Sequence, residues 1–212
     1  MVLVTTARRG SGLGTGLLKR CIAEVQESGA VAGLDATEQG RPIYLPLGFR
    51  DLYRISRWHV DGVRESPTGV ALRPLTATDL PAVIAYDCAL SAMERPALLR
   101  HLASRLPSAA WVAEADGRLK GFVLGREGRT ASSIGPVVAN DEATGLSLIA
   151  RAVTSVPGPF IIDVPDAHAE IQGWLQRQGG VSPRGYARMT LGHAPGLEDP
   201  RHLFALAGPE LG

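Results

Sequence analysis

The chain has 212 residues, 45% apolar and 20% charged, the composition of an ordinary folded protein. At roughly 150 residues per domain it makes one large domain or two small ones. Its 22 Lys and Arg against 21 Asp and Glu leave a net charge of +1, so no bulk field draws it to nucleic acid or to a membrane. Aromatics at 5% argue against a base-stacking platform. No apolar run approaches the ~18–20 residues that cross a bilayer, and Met1-Val2-Leu3-Val4 is far shorter than the ~7–15-residue core of an export signal. Cys21 and Cys88, far apart in such a chain, read as reduced core thiols of a cytoplasmic protein.

In chain order, residues 2–5 are β-branched and apolar and predict a strand. The glycine-rich run Arg8-Arg9-Gly10-Ser11-Gly12-Leu13-Gly14-Thr15-Gly16 follows. Leu17, Leu18, Cys21, Ile22 and Val25 then fall at helical spacing, and Ser28-Gly29 stops that helix. Residues 31–34 predict a short strand. Arg41-Pro42-Ile43-Tyr44 predicts a short helix, because proline suits a first turn, and Gly48 ends it. Residues 49–60 predict a strand with a turn or bulge.

The polar, turn-rich stretch up to Gly69 reads as a linker. Beyond it the pattern restarts. A strand is predicted over 70–75, with Thr76 to Asp79 as a helix cap, and helices over 80–90 and 95–106. Residues 110–115 and 119–126 form a hairpin turned by Asp116-Gly117. A strand over 133–139, a helix over 142–154, a strand over 160–164, a helix over 167–178 and a strand over 186–191 complete the series. The order is mixed α/β, with antiparallel strands first and a strand–helix–strand crossover later.

The Arg8–Gly16 run carries the chemistry. A Walker loop needs Gly-Lys-Ser/Thr after the glycines, which is absent. The dinucleotide pattern G-x-G-x-x-G also fails: after Gly10 and Gly12 its third position is Thr15, and after Gly12 and Gly14 it is Leu17. What remains is Arg9-x-x-Gly12-x-Gly14 between strand and helix. Glycines there let backbone N–H groups close on a pyrophosphate, and the helix dipole favours the anion. A glycine-rich turn serving only tight strand–helix packing is an equal reading of the loop alone.

The second element is Leu34-Asp35-Ala36-Thr37-Glu38-Gln39-Gly40-Arg41-Pro42-Ile43-Tyr44-Leu45-Pro46-Leu47-Gly48-Phe49. Together with the loop it resembles the closing half of the GNAT acyl-CoA N-acyltransferases, where R/Q-x-x-G-x-G/A opens a helix and Tyr-x-x-x-Gly-Phe follows the next strand. The resemblance implies that Arg9, Gly10, Ser11, Gly12, Leu13, Gly14 and Thr15 wrap the pyrophosphate of acetyl-CoA. It implies that Val4 pairs its backbone with the pantetheine arm and that Tyr44 protonates the departing thiolate. A phenol, of ordinary pKa about 10, is still protonated when a thiolate forms. A core tyrosine with its hydroxyl at the surface is the plainer reading of Tyr44. Thr37 stands where many members carry Asn. The usual general base, a Glu on the strand before the loop, has no counterpart in residues 2–6, and the family's opening half is missing. An incomplete N-terminus is the favoured explanation, against completion by a partner chain.

Residues 70–192 resemble a whole GNAT unit, with Gly121-Phe122, Ile134-Gly135-Pro136-Val137-Val138, Asp163-Val164-Pro165 and Arg188-Met189 as its marks. Asn140-Asp141-Glu142 replaces the phosphate loop, and Gly179-Gly180 stands at Gly-Phe, so this unit is expected to shape the acceptor site or pack on the first. Asp163 is weighed equally as a holder of an acceptor amine and as a turn carboxylate. His59, His101, His168, His193 and His202 show no metal-ligand spacing, so no metal is expected.

The expectations are these. The fold is α/β (α+β), a tandem GNAT-like arrangement of mixed sheets with the first copy lacking its N-terminal half and the second complete. Residues 1–62 form the first copy, 63–69 the linker, 70–193 the second copy and 194–212 a tail, whose Leu203-Phe204-Ala205-Leu206 docks on a domain or dimer surface. The activity is acetyl transfer from acetyl-CoA to a primary amine, on a small molecule or peptide, by direct attack with both substrates bound. The alternative is a non-catalytic module that binds CoA or another ligand. Partners exclude nucleic acid and membrane, and a homodimer stays open.

Overall fold

The computed structural model describes residues 4–8, 10–63, 69–192, 199–209 and 211. Gly12, at φ 78°, caps helix α1 (Leu13–Glu27), which ends where Ser28 and Gly29 turn the chain. Strand β1 (Gly33–Ala36) begins two residues later than the apolar run suggests, because its alignment is set by the strand it pairs with. Helix α2 (Arg41–Tyr44) carries Pro42 in its first turn and runs into a 3-10 turn, Leu45–Leu47, closed by Gly48. Strand β2 (Phe49–Val60) bulges between Asp51 and Tyr53 and again between Arg57 and His59.

One expected element is corrected. Val4 and Thr5 belong to no strand, and Thr6–Arg8 is a 3-10 turn; residues 1–3 lie outside the described residues, as do 64–68 of the linker.

The rest follows the expected order through the last predicted strand, and the tail adds a strand that the sequence does not predict. It comprises β3 (Leu72–Pro74), α3 (Leu80–Ser91), α4 (Pro96–Arg105), β4 (Trp111–Ala115), β5 (Arg118–Arg126), β6 (Ser132–Ala139), α5 (Glu142–Ser155), β7 (Phe160–Pro165), α6 (Ala169–Arg177), β8 (Val181–Leu191) and β9 (Leu203–Ala205). Asp116 and Gly117, both at positive φ (54° and 67°), make the tight turn between β4 and β5. Alternation along β5 divides the core. Phe122 and Leu124 face Val83 of α3 and Leu99 and Leu102 of α4, whereas Val123 joins Leu148, Ile149 and Val153 of α5 on the other face.

The described strands form one mixed sheet in the order β1-β8-β2-β7-β6-β5-β4-β3, with β9 pairing β6. Only β6 and β7 run parallel; every other pair is antiparallel. Strand–helix–strand units occur on both sides of the linker, and their last strands cross over. β1 pairs not with β2 but with β8, and β7 pairs not with β8 but with β2. The central β2–β8 ladder joins the two.

Each crossed pair carries a bidentate ion pair between directly opposed residues. Arg188 meets Asp35 at 2.6 and 2.9 Å, and Arg57 meets Asp163 at 2.7 Å on both oxygens. The carboxylates are almost fully covered, with 1% and 5% of their side chains exposed. Asp163 is thus engaged by Arg57, which of the two equal readings favours a satisfied structural carboxylate, held in a strand rather than in a turn. The guanidiniums also lie over rings, Arg57 over Tyr186 and Arg188 over Tyr53.

Two further expectations are corrected. Cys21 and Cys88 are exposed rather than core thiols. Cys21 lies on α1, none of whose residues is buried, and its stripe partners Leu13 and Leu17 are 49% and 54% exposed. The tail docks on no outer surface, because β9 enters the sheet and Leu203 to Ala207 are buried.

Candidate functional site

The first half places its chemistry at the N-terminus of α1. Gly10 and Gly12 both take positive φ, 77° and 78°, and a Cβ on either would meet nothing within 4 Å. The glycines are there for backbone conformation, not for packing. The first N–H groups of a helix have no intrahelical acceptor, and no acidic residue stands in the first turn of α1 to occupy them. Ser11 folds back, its Oγ donating to the Arg8 carbonyl at 2.6 Å. Gly14 admits the chain before the loop, since a Cβ there would lie 3.4 Å from Val4 Cγ2.

A cavity of about 420 Å³ opens at this point, lined by Val4, Arg8, Gly10, Gly12, Leu13, Gly14, Thr15, Leu18, Ile43 and Tyr44. It brings the loop and Tyr44, read from separate motifs, into one site. Of the expected binding residues, Val4, Gly10, Gly12, Leu13, Gly14 and Thr15 line it; Ser11 does not, and Arg9 lies outside the described residues. Sequence reasoning missed Arg8, which precedes the predicted binding residues by one position, and also missed Leu18 and Ile43 as walls. Leu18 sits one turn beyond Gly14 and Thr15 on α1, and Ile43 adjoins Tyr44, so helical spacing held the signal for both.

Three contacts position Tyr44. Its ring meets Phe49 edge-on at 5.8 Å. Thr37 caps the turn before it, with Oγ1 accepting the Gly40 N–H at 3.1 Å and its carbonyl accepting the Arg41 N–H at 2.9 Å. Thr37 therefore supports the turn of α2 where the family pattern has Asn. Arg41 ties that turn to β2 through Asp51, at 2.7 to 3.0 Å, and this hydrogen bonding holds the Asp51 carboxyl below the usual carboxylate range. Among the described residues the cavity lining contains no Asp, Glu or His.

The second half treats the corresponding helix end differently. Asp141 caps α5, accepting the Thr144 N–H at 2.8 Å. Glu142 Oε1 accepts the Glu170 and Ile171 N–H groups at 3.0 and 3.1 Å, so it occupies the start of α6. Among the described residues no group of three or more His, Cys, Asp or Glu is placed to hold a metal ion, and no helix is long and apolar enough to cross a membrane.

The family model for the acetyltransferase (GNAT) domain matches residues 83–205, more than half of the 212. The chain belongs to the GNAT acetyltransferase family. That match begins beyond the α1 loop and Tyr44, which stand on their own geometry. No curated protein matches the chain. Among solved structures, a Pyrococcus horikoshii protein described as a candidate acetyltransferase superposes with a TM-score of 0.76 at 21% identity, covering 99% of this chain and 69% of its own. A GCN5-related N-acetyltransferase from Sphaerobacter thermophilus gives 0.59 at 16% identity, over 88% of this chain and 70% of its own. One from Kribbella flavida gives 0.56 at 11%, over 85% and 75%. At such identities the likeness speaks for the GNAT fold, and acyl transfer in general is the activity the family supports.

Proposed function

We propose that the chain is an N-acetyltransferase that uses acetyl-CoA and a primary amine, on a small molecule or peptide, by direct attack with both substrates bound. One observation carries this reading: the open N-terminus of α1 and the Tyr44 side chain line the same cavity. Residues 1–62 are the back half of one GNAT unit holding the acetyl-CoA site, 63–69 a linker, and 70–193 a second unit in tandem, with 194–212 as its tail. The glycine loop and the first N–H groups of α1 fit a pyrophosphate, and Val4, on the same cavity wall, is assigned to the pantetheine arm. Arg9 is assigned to the same phosphates. The role of this chain's residues is to orient the thioester and exclude water. The amine nitrogen bonds to the thioester carbon, the C–S bond breaks, and Tyr44 hands its proton to the leaving sulfur. The proton lost by the amine passes through water and restores the phenol; the proton transfer contributes typically 10²–10⁴-fold.

The second reading is a module that binds acyl-CoA and turns nothing over; among the described residues that line the cavity, none is a carboxylate or imidazole that could take the amine's proton. Calorimetric titration of acetyl-CoA, followed by a thiolate-release assay across an amine panel, separates the two. The enzyme reading expects binding that Gly12→Glu abolishes, and release that Tyr44→Phe abolishes while binding persists. Binding without release on any amine favours the module. Absence of binding removes both.

A further inference from the structure

Strands β6 and β7 are the parallel pair of the sheet and α5 joins them. They pair only where Ser132 and Ser133 meet Phe160 and Ile161, and then they part. In open α/β sheets the crevice at the carboxyl ends of parallel strands, beside a helix N-terminus, is where ligands bind. In this chain that crevice already holds a strand.

β9 runs antiparallel to β6, with Val137 opposite Ala205 and Val138 opposite Leu203. On its other side the Leu206 N–H donates to the Asp163 carbonyl of β7 at 2.9 Å. The Ala139 N–H donates to the His202 carbonyl at 3.1 Å, at the end of β6 where a ligand would enter. The inserted segment thus meets the backbones of both walls.

The seat is shaped to it. A Cβ on Gly135 would collide with the Leu206 carbonyl oxygen, and one on Gly145 would lie 2.5 Å from Phe204 Cγ. Gly145 is the fourth residue of α5; the fourth residue of α1 is Gly16, where a Cβ would meet nothing within 4 Å. The His168 ring lies 4.4 Å from the Phe204 ring, and its Nε2 faces the Pro200 and Leu203 carbonyls at 2.8 and 2.9 Å. An anion arriving at α5 would meet Asp141 and Glu142, whose carboxylates already hold the amides of α5 and α6. Space, backbone pairing and charge all point one way.

We propose that residues 202–206 are the permanent occupant of the β6–β7 crevice, so that the chain binds a single acyl-CoA, at α1, and its second half serves as a closed support. The stoichiometry rests on the acyl-CoA reading of the first site; the permanence of the strand does not. Both are tested on the full chain, by counting bound acetyl-CoA in native mass spectrometry and by hydrogen exchange with and without acetyl-CoA.

One bound molecule, none in Gly12→Glu, and no change in exchange across 202–206 at saturation support the proposal. Two molecules, one retained by Gly12→Glu, or faster exchange across 202–206 on binding overturn it. If the chain binds no acetyl-CoA, the reading of the first site fails, and exchange of the free protein decides the strand. Amides of 203–206 exchanging within about tenfold of those in β5 and β6 mark a permanent occupant that opens only with the whole core. Exchange more than about a hundredfold faster marks a flap, and the proposal falls.

Discussion

The ion pair between Asp35 and Arg188 joins residues 153 positions apart, from opposite sides of the linker, and only 1% and 9% of the two side chains are exposed. Replacing Asp35 by Leu leaves a guanidinium in a dry site with its main partner gone. Breaking a buried pair in this way costs about 3–5 kcal/mol, because the remaining charge stays buried. For a chain of this size each kcal/mol lowers the midpoint by about 2–4 °C, so the expected loss is about 6–20 °C. Arg20 and Glu24 provide the internal control. Their side chains are 76% and 57% exposed, and Glu24→Ala should move the midpoint by no more than about 2 °C.

The decisive variant is the double replacement Asp35→Leu with Arg188→Met. An apolar pair of similar volume needs no desolvation offset, so the double variant should recover most of what either single change loses. The assay is thermal unfolding of all four proteins in one buffer, completing a double-mutant cycle. A midpoint loss under about 2 °C for Asp35→Leu would show that water reaches the pair and that the crossed strands are not held this way. A double variant as unstable as the sum of the singles would refute the coupling itself.

Other consequences are more local. Phe204→Ala empties the seat beside Gly145 and should cost about 3–5 kcal/mol, read from the urea midpoint. Thr37→Val removes the side-chain acceptor of the Gly40 N–H and leaves only the Thr37 carbonyl at 3.0 Å. It should cost up to about 1 kcal/mol, with a fall in thiolate-release rate larger than any change in acetyl-CoA affinity. Arg201 holds the Asp199 carboxyl down at about 2, so this pair's contribution is present above the unfolded carboxylate value and is lost as pH falls through the folded one. Asp199→Asn should therefore lower the urea midpoint slightly at neutrality, leave it unchanged near pH 2, and flatten its fall between about pH 4 and 2. Burial, with a smaller effect from the Asp141 charge, pushes the Tyr86 hydroxyl above its ordinary value. The folded state then keeps the proton longer, stability declines as pH rises past about 10, and Tyr86→Phe should remove that decline.

Local chemistry was legible in the sequence wherever one residue decides one bend. Pro42 and Gly48 frame α2, Asp116-Gly117 turns the hairpin, and Asp141 caps α5, each at the expected place. That the glycine loop and Tyr44 serve one site was implied only by the resemblance to the GNAT motifs, since the spacing of neither motif alone names the other. Pairing across the linker was not. Alternation along β2 and β8 marks which face is buried but says nothing about which strand lies alongside. Arg57 and Arg188 read as ordinary strand residues until their partners, 106 and 153 positions away, are known. The same limit hid the seat of β9, since Leu203 to Leu206 show an apolar run without naming Gly135 and Gly145 as its floor. Cys21 failed for another reason. Helical spacing identifies a stripe, but of that stripe α1 half-buries only Leu18, Ile22 and Val25 and leaves Leu17 and Cys21 exposed.

Helices α1 and α5 present opposite solutions to the same physical problem. A helix N-terminus has amides without acceptors and a dipole that favours negative charge. At α5 the chain supplies the charge itself, through Asp141, and Glu142 does the same for α6. At α1 no acidic residue stands in the first turn, Ser11 turns its hydroxyl back to Arg8, and glycines at positive φ leave the approach clear. Amides left open at one end and closed by side chains at the other are what one binding half and one supporting half require. The crossed strands then tie the supporting half to the turn that carries Tyr44, because Arg188 of β8 grips Asp35 two residues before Thr37, the cap of that turn.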